Sequence, residues 1–209
     1  MLCSRFAEED HSQCEETGMS SIFGHAVTSI ALGKAYSAEK ESLNFWLLAV
    51  YCSVLPDGDV IAFYFDVPYG HLLGHRGLSH SILFAAFLGV LVAYFFFRHV
   101  GRFTPRWWRY ALFFFLVTLS HAISDALSNG GLGVAFFSPF SNQRYFFPWR
   151  PLEVSPIGGL TYFFSSEGWR VIRSEFIWIW LPSILLVLVS TGVRRYLIKR
   201  KNASLTVTE

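Results

Sequence analysis

Residues 78–97 (LSHSILFAAFLGVLVAYFFF) contain no carboxylate, lysine or arginine. Two further stretches, 107–127 and 176–193, are nearly as apolar, and each approaches the roughly 20 residues a helix needs to cross a hydrocarbon core. Two weaker ones, 21–37 and 43–56, precede them; they are shorter and carry polar residues. Composition agrees: 53% of the 209 residues are hydrophobic, 18% aromatic and only 15% charged. Soluble domains average about 25% charged. The expected fold is therefore all-α, a multipass transmembrane bundle of about five helices, with Pro182 a candidate kink in the last one.

Residues 1–18 form an acidic extension (Glu8, Glu9, Asp10, Glu15, Glu16), unlike the basic start of a cleavable signal peptide. The extension is either a disordered tail or lies upstream of a true start at Met19. Residues 19–196 form the bundle, and 197–209 a basic and polar tail. The net charge of +2 and the absence of a basic stripe argue against nucleic acid as a partner. Cys3, Cys14 and Cys52 have neither the number nor the spacing of a disulfide framework or a thiolate metal site.

Basic residues set an expected orientation. Arg98, Arg102, Arg106 and Arg109 follow the third stretch without an acid between them, and Arg194, Arg195, Lys199, Arg200 and Lys201 follow the fifth. Both groups should be cytoplasmic. With five crossings, the N-terminus, residues 57–77 and residues 128–175 then fall outside.

That topology collects the polar residues. Asp57 and Asp59 lie in LPDGD, where Pro56 and Gly58 predict a helix exit whose carboxylates converge on one point; alone, such a turn is more often simply solvated. In GHRGLSHS, residues 74–81, the glycines put His75 in a loop, Ser79 at the cap of the next helix and His80 in its first turn. A plain pair of interfacial histidines beside a headgroup-anchoring Arg76 fits that segment equally well. His121 and Asp125, four apart, share a helix face inside an apolar stretch. An aspartate at that depth costs on the order of 2.5–3.5 kcal/mol and needs a partner, which in the bland reading is His121 alone. His25 by itself is an ordinary helix histidine.

Their agreement carries the argument, because His25, Asp57, Asp59, His75, His80, His121 and Asp125 all gather at the outer face. Imidazoles with carboxylates and no thiolate suit zinc first, with manganese or iron as alternatives, and enough ligands are present for one or two ions. Such an ion would bring the pKa of bound water toward about 7, which is hydrolysis chemistry.

LPDGD, HRGLSHS and HAISDALSNGG, with RYFFPWRP at 144–151 downstream, resemble the signature blocks of the YdjM-type inner-membrane metal-dependent hydrolases, from about Met19 to Arg194. The resemblance implies a multipass protein of the bacterial inner membrane. It also implies that the seven residues above are its metal-site residues, with Glu175 a looser match. The order of histidines and aspartates is distantly similar to zinc-dependent phospholipase C. Asp59, Arg76 and Asp125 are the candidates for catalytic roles. Arg76 cannot ligate a metal, but it suits an anionic phosphate or a developing oxyanion. The substrate expected is a lipid, a phosphoester or another amphiphile, and membrane lipids are the expected surroundings. Rival readings are a metal-ion transporter, a haem protein with paired histidine ligands, and a non-catalytic membrane anchor for a regulator. Arg144 and Arg150 could bind a headgroup, but an interfacial aromatic belt explains them more simply. His71 and Asp66 are spare ligands or loop residues, and neither Ser79 nor Ser81 sits in a nucleophile elbow.

Overall fold

The structure is a computed structural model, and it describes residues 18, 19, 21–37, 40–156 and 165–205. The acidic extension, Gly18 apart, lies outside the described residues.

Among these, five helical rods make up the fold. They are α1 (Ile22–Tyr36), α2 (Leu43–Val54), α3 (Ile82–Phe96), α4 (Pro105–Ala126) and α5. The last is one rod in three runs: Ser166–Glu175, a π-helical turn Phe176–Trp180, and Leu181–Leu205. Each rod starts on a hydroxyl cap. Ser21, Ser42, Ser81, Thr104 and Ser165 accept from the backbone N–H three residues on, filling a donor the first turn leaves open. A two-residue antiparallel pair, Gly18–Met19 with Ser155–Pro156, ties the start of the chain to the loop before α5.

Among the described residues, two helices are long and apolar enough to cross a membrane, Leu43–Phe65 and Gly168–Asn202. Leu185, Leu188, Val189 and Val193 each expose more than half their surface, as a rod facing hydrocarbon does. The second apolar stretch therefore spans better than its sequence suggested, because α2 does not end at Pro56. It continues as a 3-10 helix, Leu55–Phe65, which Asp66 closes in a left-handed conformation (φ 55°). The third stretch spans less well, since its α-helix begins only at Ile82 and has 15 residues. Ser81, not Ser79, is its cap, and His80 lies in a separate 3-10 turn, Leu78–His80. At Pro182, which lacks an N–H, the last rod carries its irregularity as the π-turn just before it.

α4 is the central rod, packed on α1, α2 and α3. Gly89 allows α3 to lie directly on it: a Cβ there would stand 2.5 Å from the Ala111 carbonyl oxygen. Such close backbone approach is the usual way membrane helices associate. Away from the polar end the core is aromatic, with Phe45 stacked on Phe113 at 4.7 Å and Phe97 on Tyr110 at 4.2 Å. Trp107 seals it, donating its indole N–H to the Ala93 carbonyl at 3.0 Å. Arg194 donates to the carbonyls of Lys34, Ala35 and Ser37 at the end of α1. This fixes the polarity of the bundle: the basic tail lies at the end where α1 stops, and His25 lies at the other.

Candidate metal centre

Four rods deliver side chains to that other end. α1 brings His25, the 3-10 extension of α2 brings Asp57 and Asp59, the turn before α3 brings His80, and the last turns of α4 bring His121 and Asp125. His25, Asp57, His75, His80, His121 and Asp125 are all buried.

His80 is the hinge of the cluster. Its Nδ1 lies 3.1 Å from Asp59 Oδ2 and 3.0 Å from the Ser79 hydroxyl. Its Nε2 lies 3.1 Å from Asp125 Oδ2 and 3.0 Å from His121 Nε2. On the far side, His121 donates from Nδ1 to the Ser53 carbonyl oxygen at 2.7 Å. A carbonyl can only accept, so the neutral His121 ring carries its proton on Nδ1 and turns the Nε2 lone pair toward His80. Asp59 does the same for His80. Two lone pairs then face each other, with Asp57 Oδ1 at 3.3 Å from His121 Nε2 and 3.7 Å from His80 Nε2, and Asp125 Oδ2 at 3.4 Å from His121.

Four mutually facing lone-pair donors form a group that could hold a cation between them. Tetrahedral ligands at about 2.0–2.2 Å from zinc stand about 3.3–3.6 Å from one another, close to the spacings here. Asp57, His80, His121 and Asp125 form a group whose ligand atoms all lie within 4.8 Å. Both oxygens of Asp57 are buried with no hydrogen-bond donor among the described residues. The residues fit a divalent metal.

The remaining sequence candidates surround this group. Asp59 and Asp57 do not converge on one point; two residues apart on a 3-10 helix, they approach His80 from opposite sides. Asp59 also accepts from His75 Nδ1 at 2.6 Å, from the Arg76 N–H at 3.1 Å and from the Ser79 hydroxyl. Asp59, His75 and His80 make a second candidate group, although a 2.6 Å contact is a hydrogen bond rather than the spacing of two ligands on one ion. His75 has its Nε2 buried with no partner among the described residues. His25 stacks on His121 with ring centroids 3.9 Å apart, bracing that ring instead of joining the four-donor group.

Arg76 is fully buried at a left-handed residue (φ 59°), with Nη1 on the Gly130 carbonyl at 2.7 Å and Nη2 3.4 Å from Asp125 Oδ1. Burial opposes its charge most strongly, but Asp125, Tyr69, Asp57 and Asp59 together more than offset this and hold its pKa above the ordinary arginine value. Gly131, at φ 79°, must be glycine here, since a Cβ would stand 2.7 Å from Arg76 Nη1 and 2.5 Å from the Tyr69 hydroxyl. Burial likewise pushes the Tyr69 phenol up, so it stays neutral. Glu175 accepts from the Ser21 N–H at 2.6 Å and its hydroxyl at 2.5 Å, anchoring α5 to the start of α1. His71 accepts from the Leu73 N–H; neither His71 nor Asp66 belongs to a donor group. Sequence reasoning did not anticipate three contributors. The Ser53 carbonyl carries no signal in the side-chain code. Ser79 was read as a cap. Arg144 clamps the site loop through the carbonyls of Tyr69, His75, Gly133 and His71.

Comparison with known proteins agrees with this architecture. Residues 19–199 match the model of the YdjM inner membrane protein family. The chain belongs to that family. It is also 33% identical to the inner membrane protein YbcI of Escherichia coli (strain K12) over 174 residues, covering 81% of this chain and 95% of that protein. No solved structure gives a significant match. Membership of the YdjM family makes this an inner membrane protein, and the four-donor cluster is the feature of this member that invites a metal.

Proposed function

We propose that this member of the YdjM family is a metal-dependent hydrolase of the inner membrane, acting on a lipid, phosphoester or other amphiphile. The observation that carries the reading is the 3.0 Å approach of the His80 and His121 Nε2 atoms, each with its other ring nitrogen already tied to an acceptor, beside two carboxylates. Asp57, His80, His121 and Asp125 would hold the ion, with zinc the best match to a compact nitrogen and oxygen set. An ion held by these four residues would supply hydroxide at neutral pH if it took a water as a fifth ligand. Asp59 fixes the His80 tautomer and Arg76 fixes Asp125. The basic segments at the opposite end support a site facing the periplasm and a cytoplasmic C-terminus. An ion pathway would need ionisable groups along the bundle, whereas the core beyond the site is packed with Phe45, Phe97, Phe113 and Phe114.

The test is metal content and hydrolysis in the same preparation. Protein in lipid nanodiscs, wild type and His121→Ala, would be loaded with zinc or stripped with chelator and offered phospholipids and soluble phosphoesters. Cleavage that needs both metal and His121 supports the reading. Stoichiometric metal with uptake of zinc into vesicles, and no cleavage, would overturn it in favour of transport.

A further inference from the structure

A cleft of about 270 Å³ lies between α1, α4 and α5. Thr28, Ala31 and Leu32 of α1 form its floor; α4 gives one wall through Ile123 and Ser124, and α5 the other through Ile179 and Ser183. Its head end is closed by Trp149 and Pro151, on a loop held over the end of α4 by Phe147 N–H to the Ala126 carbonyl and Leu152 N–H to the Leu127 carbonyl. Trp149 meets Trp178 of α5 edge-on at 4.6 Å, so that end is rigid.

Three of the hydroxyls in the lining already bond within their own helices. Thr28 donates to the Gly24 carbonyl, Ser120 to Val117 and Ser124 to Ser120. What remains is a hydrocarbon surface that opens sideways past Ile123, Trp178 and Leu186, which in a membrane-spanning bundle face acyl chains. A cleft of this size takes a segment of one chain rather than a whole lipid. The head end has the opposite character. Arg150 is exposed between two cleft residues, its guanidinium 4.7 Å above the Phe146 ring, a charge at the membrane surface set to meet an anion. The cleft reaches the depth of the metal centre, since Ser124 precedes Asp125 on α4 and Thr28 lies about one turn beyond His25 on α1.

We propose that this cleft seats one acyl chain of an anionic glycerophospholipid entering sideways from the bilayer, with Arg150 at its phosphate. The seat stands on the cleft and Arg150; that the seated lipid is what the centre cleaves rests on the hydrolase reading above.

The full chain would be placed in phosphatidylcholine nanodiscs containing phosphatidylglycerol with a diazirine in one acyl chain, irradiated and mapped by mass spectrometry. Label should concentrate on Thr28, Ile123 and Ser183. It should be largely lost in Ser183→Trp and in the more exposed Leu186→Trp, and be retained in Leu188→Trp, which fills no part of the cleft. Arg150→Gln should abolish the advantage of unlabelled phosphatidylglycerol over phosphatidylcholine as competitor. Label spread evenly over the apolar belt, cleft labelling unchanged in a folded Leu186→Trp, or cross-links from the cleft to a second copy of the chain would each overturn the seat. His121→Ala separates the two readings: cleft labelling that persists there, with no lipid cleaved by wild type, supports the seat and removes only the hydrolase.

Discussion

Replacing Asp59 by asparagine tests the division between residues that hold the metal and residues that orient its ligands. The substitution is isosteric, so the 3-10 segment should keep its shape. Asp59 accepts on both oxygens: Oδ1 takes His75 Nδ1 at 2.6 Å, while Oδ2 serves the Arg76 N–H at 3.1 Å and the Ser79 hydroxyl and lies 3.1 Å from His80 Nδ1. Asparagine has one accepting oxygen and one donating nitrogen, so one side must lose its acceptor. If the nitrogen faces His80, that ring has to move its proton to Nε2, the atom it offers the metal. If it faces His75, the four-donor group is left intact apart from a weaker anchor. Loss of a carboxylate that orients a metal-binding imidazole typically costs about 10–100-fold in affinity, or about 1.4–2.8 kcal/mol. The assay is competition for zinc against a chromophoric chelator in detergent, with stoichiometry by elemental analysis. Asp59→Asn should bind one equivalent with affinity reduced within that range, while His121→Ala should lose the ion outright. Unchanged affinity would show that Asp59 does not set the His80 tautomer. A loss as complete as that of His121→Ala would make Asp59 a ligand itself.

Chelator should lower the unfolding temperature of the wild type and leave His80→Ala unmoved, since an ion present at 100 times its Kd stabilises by about 2.7 kcal/mol. Arg76→Ala should destabilise the fold by about 3–5 kcal/mol in thermal unfolding, because it takes the guanidinium from the buried Asp125 carboxylate and from the Gly130 carbonyl. Arg76→Lys should recover part of this, restoring charge without the two-pronged donor. Cysteine labelling in a cysteine-free background should find Gly101 and the tail beyond Leu197 accessible from the cytoplasm and position 150 from the periplasm; a tail that labels from outside would invert the orientation.

Hydropathy made the bundle legible, and motif order made most of the centre legible, because both are written in residue type. The parts that were misread depend on tertiary contacts. Pro56 and Gly58 read as a helix exit, yet the 3-10 run continues to Phe65, carrying Asp57 and Asp59 to their imidazole partners on either side of His80. The sequence puts Ser79 at the cap of the next helix; the short turn Leu78–His80 instead assigns Ser81 to the helix and frees Ser79 for Asp59. For Arg76 the sequence leaves two readings open, a headgroup anchor and a cation beside the metal. Its burial follows from the return of residues 128–134 over it, with Gly131 leaving room for the guanidinium. Arg144 was read against lipid because its position in an aromatic loop gave no hint that four backbone carbonyls would converge on it.

The charges at the centre give a reason for its composition. Asp57, Asp59 and Asp125 bring three carboxylates to the buried polar end of the bundle, where the Arg76 guanidinium lies 3.4 Å from Asp125 and its backbone N–H bonds Asp59. With the imidazoles neutral, the cluster carries an excess of two negative charges, and isolated charge in such a place is costly. Protons on histidines could offset it only in part where it matters most, because His80 and His121 present their Nε2 atoms to each other at 3.0 Å and that gap holds a single proton. A divalent ion removes both excess charges at once and gives the two lone pairs a common partner. The same argument explains why Arg76 is buried rather than offered to solvent. Without it the excess would be three, more than one divalent ion neutralises, and Asp125 would have no fixed cation to hold it in place while the other oxygen faces the metal position.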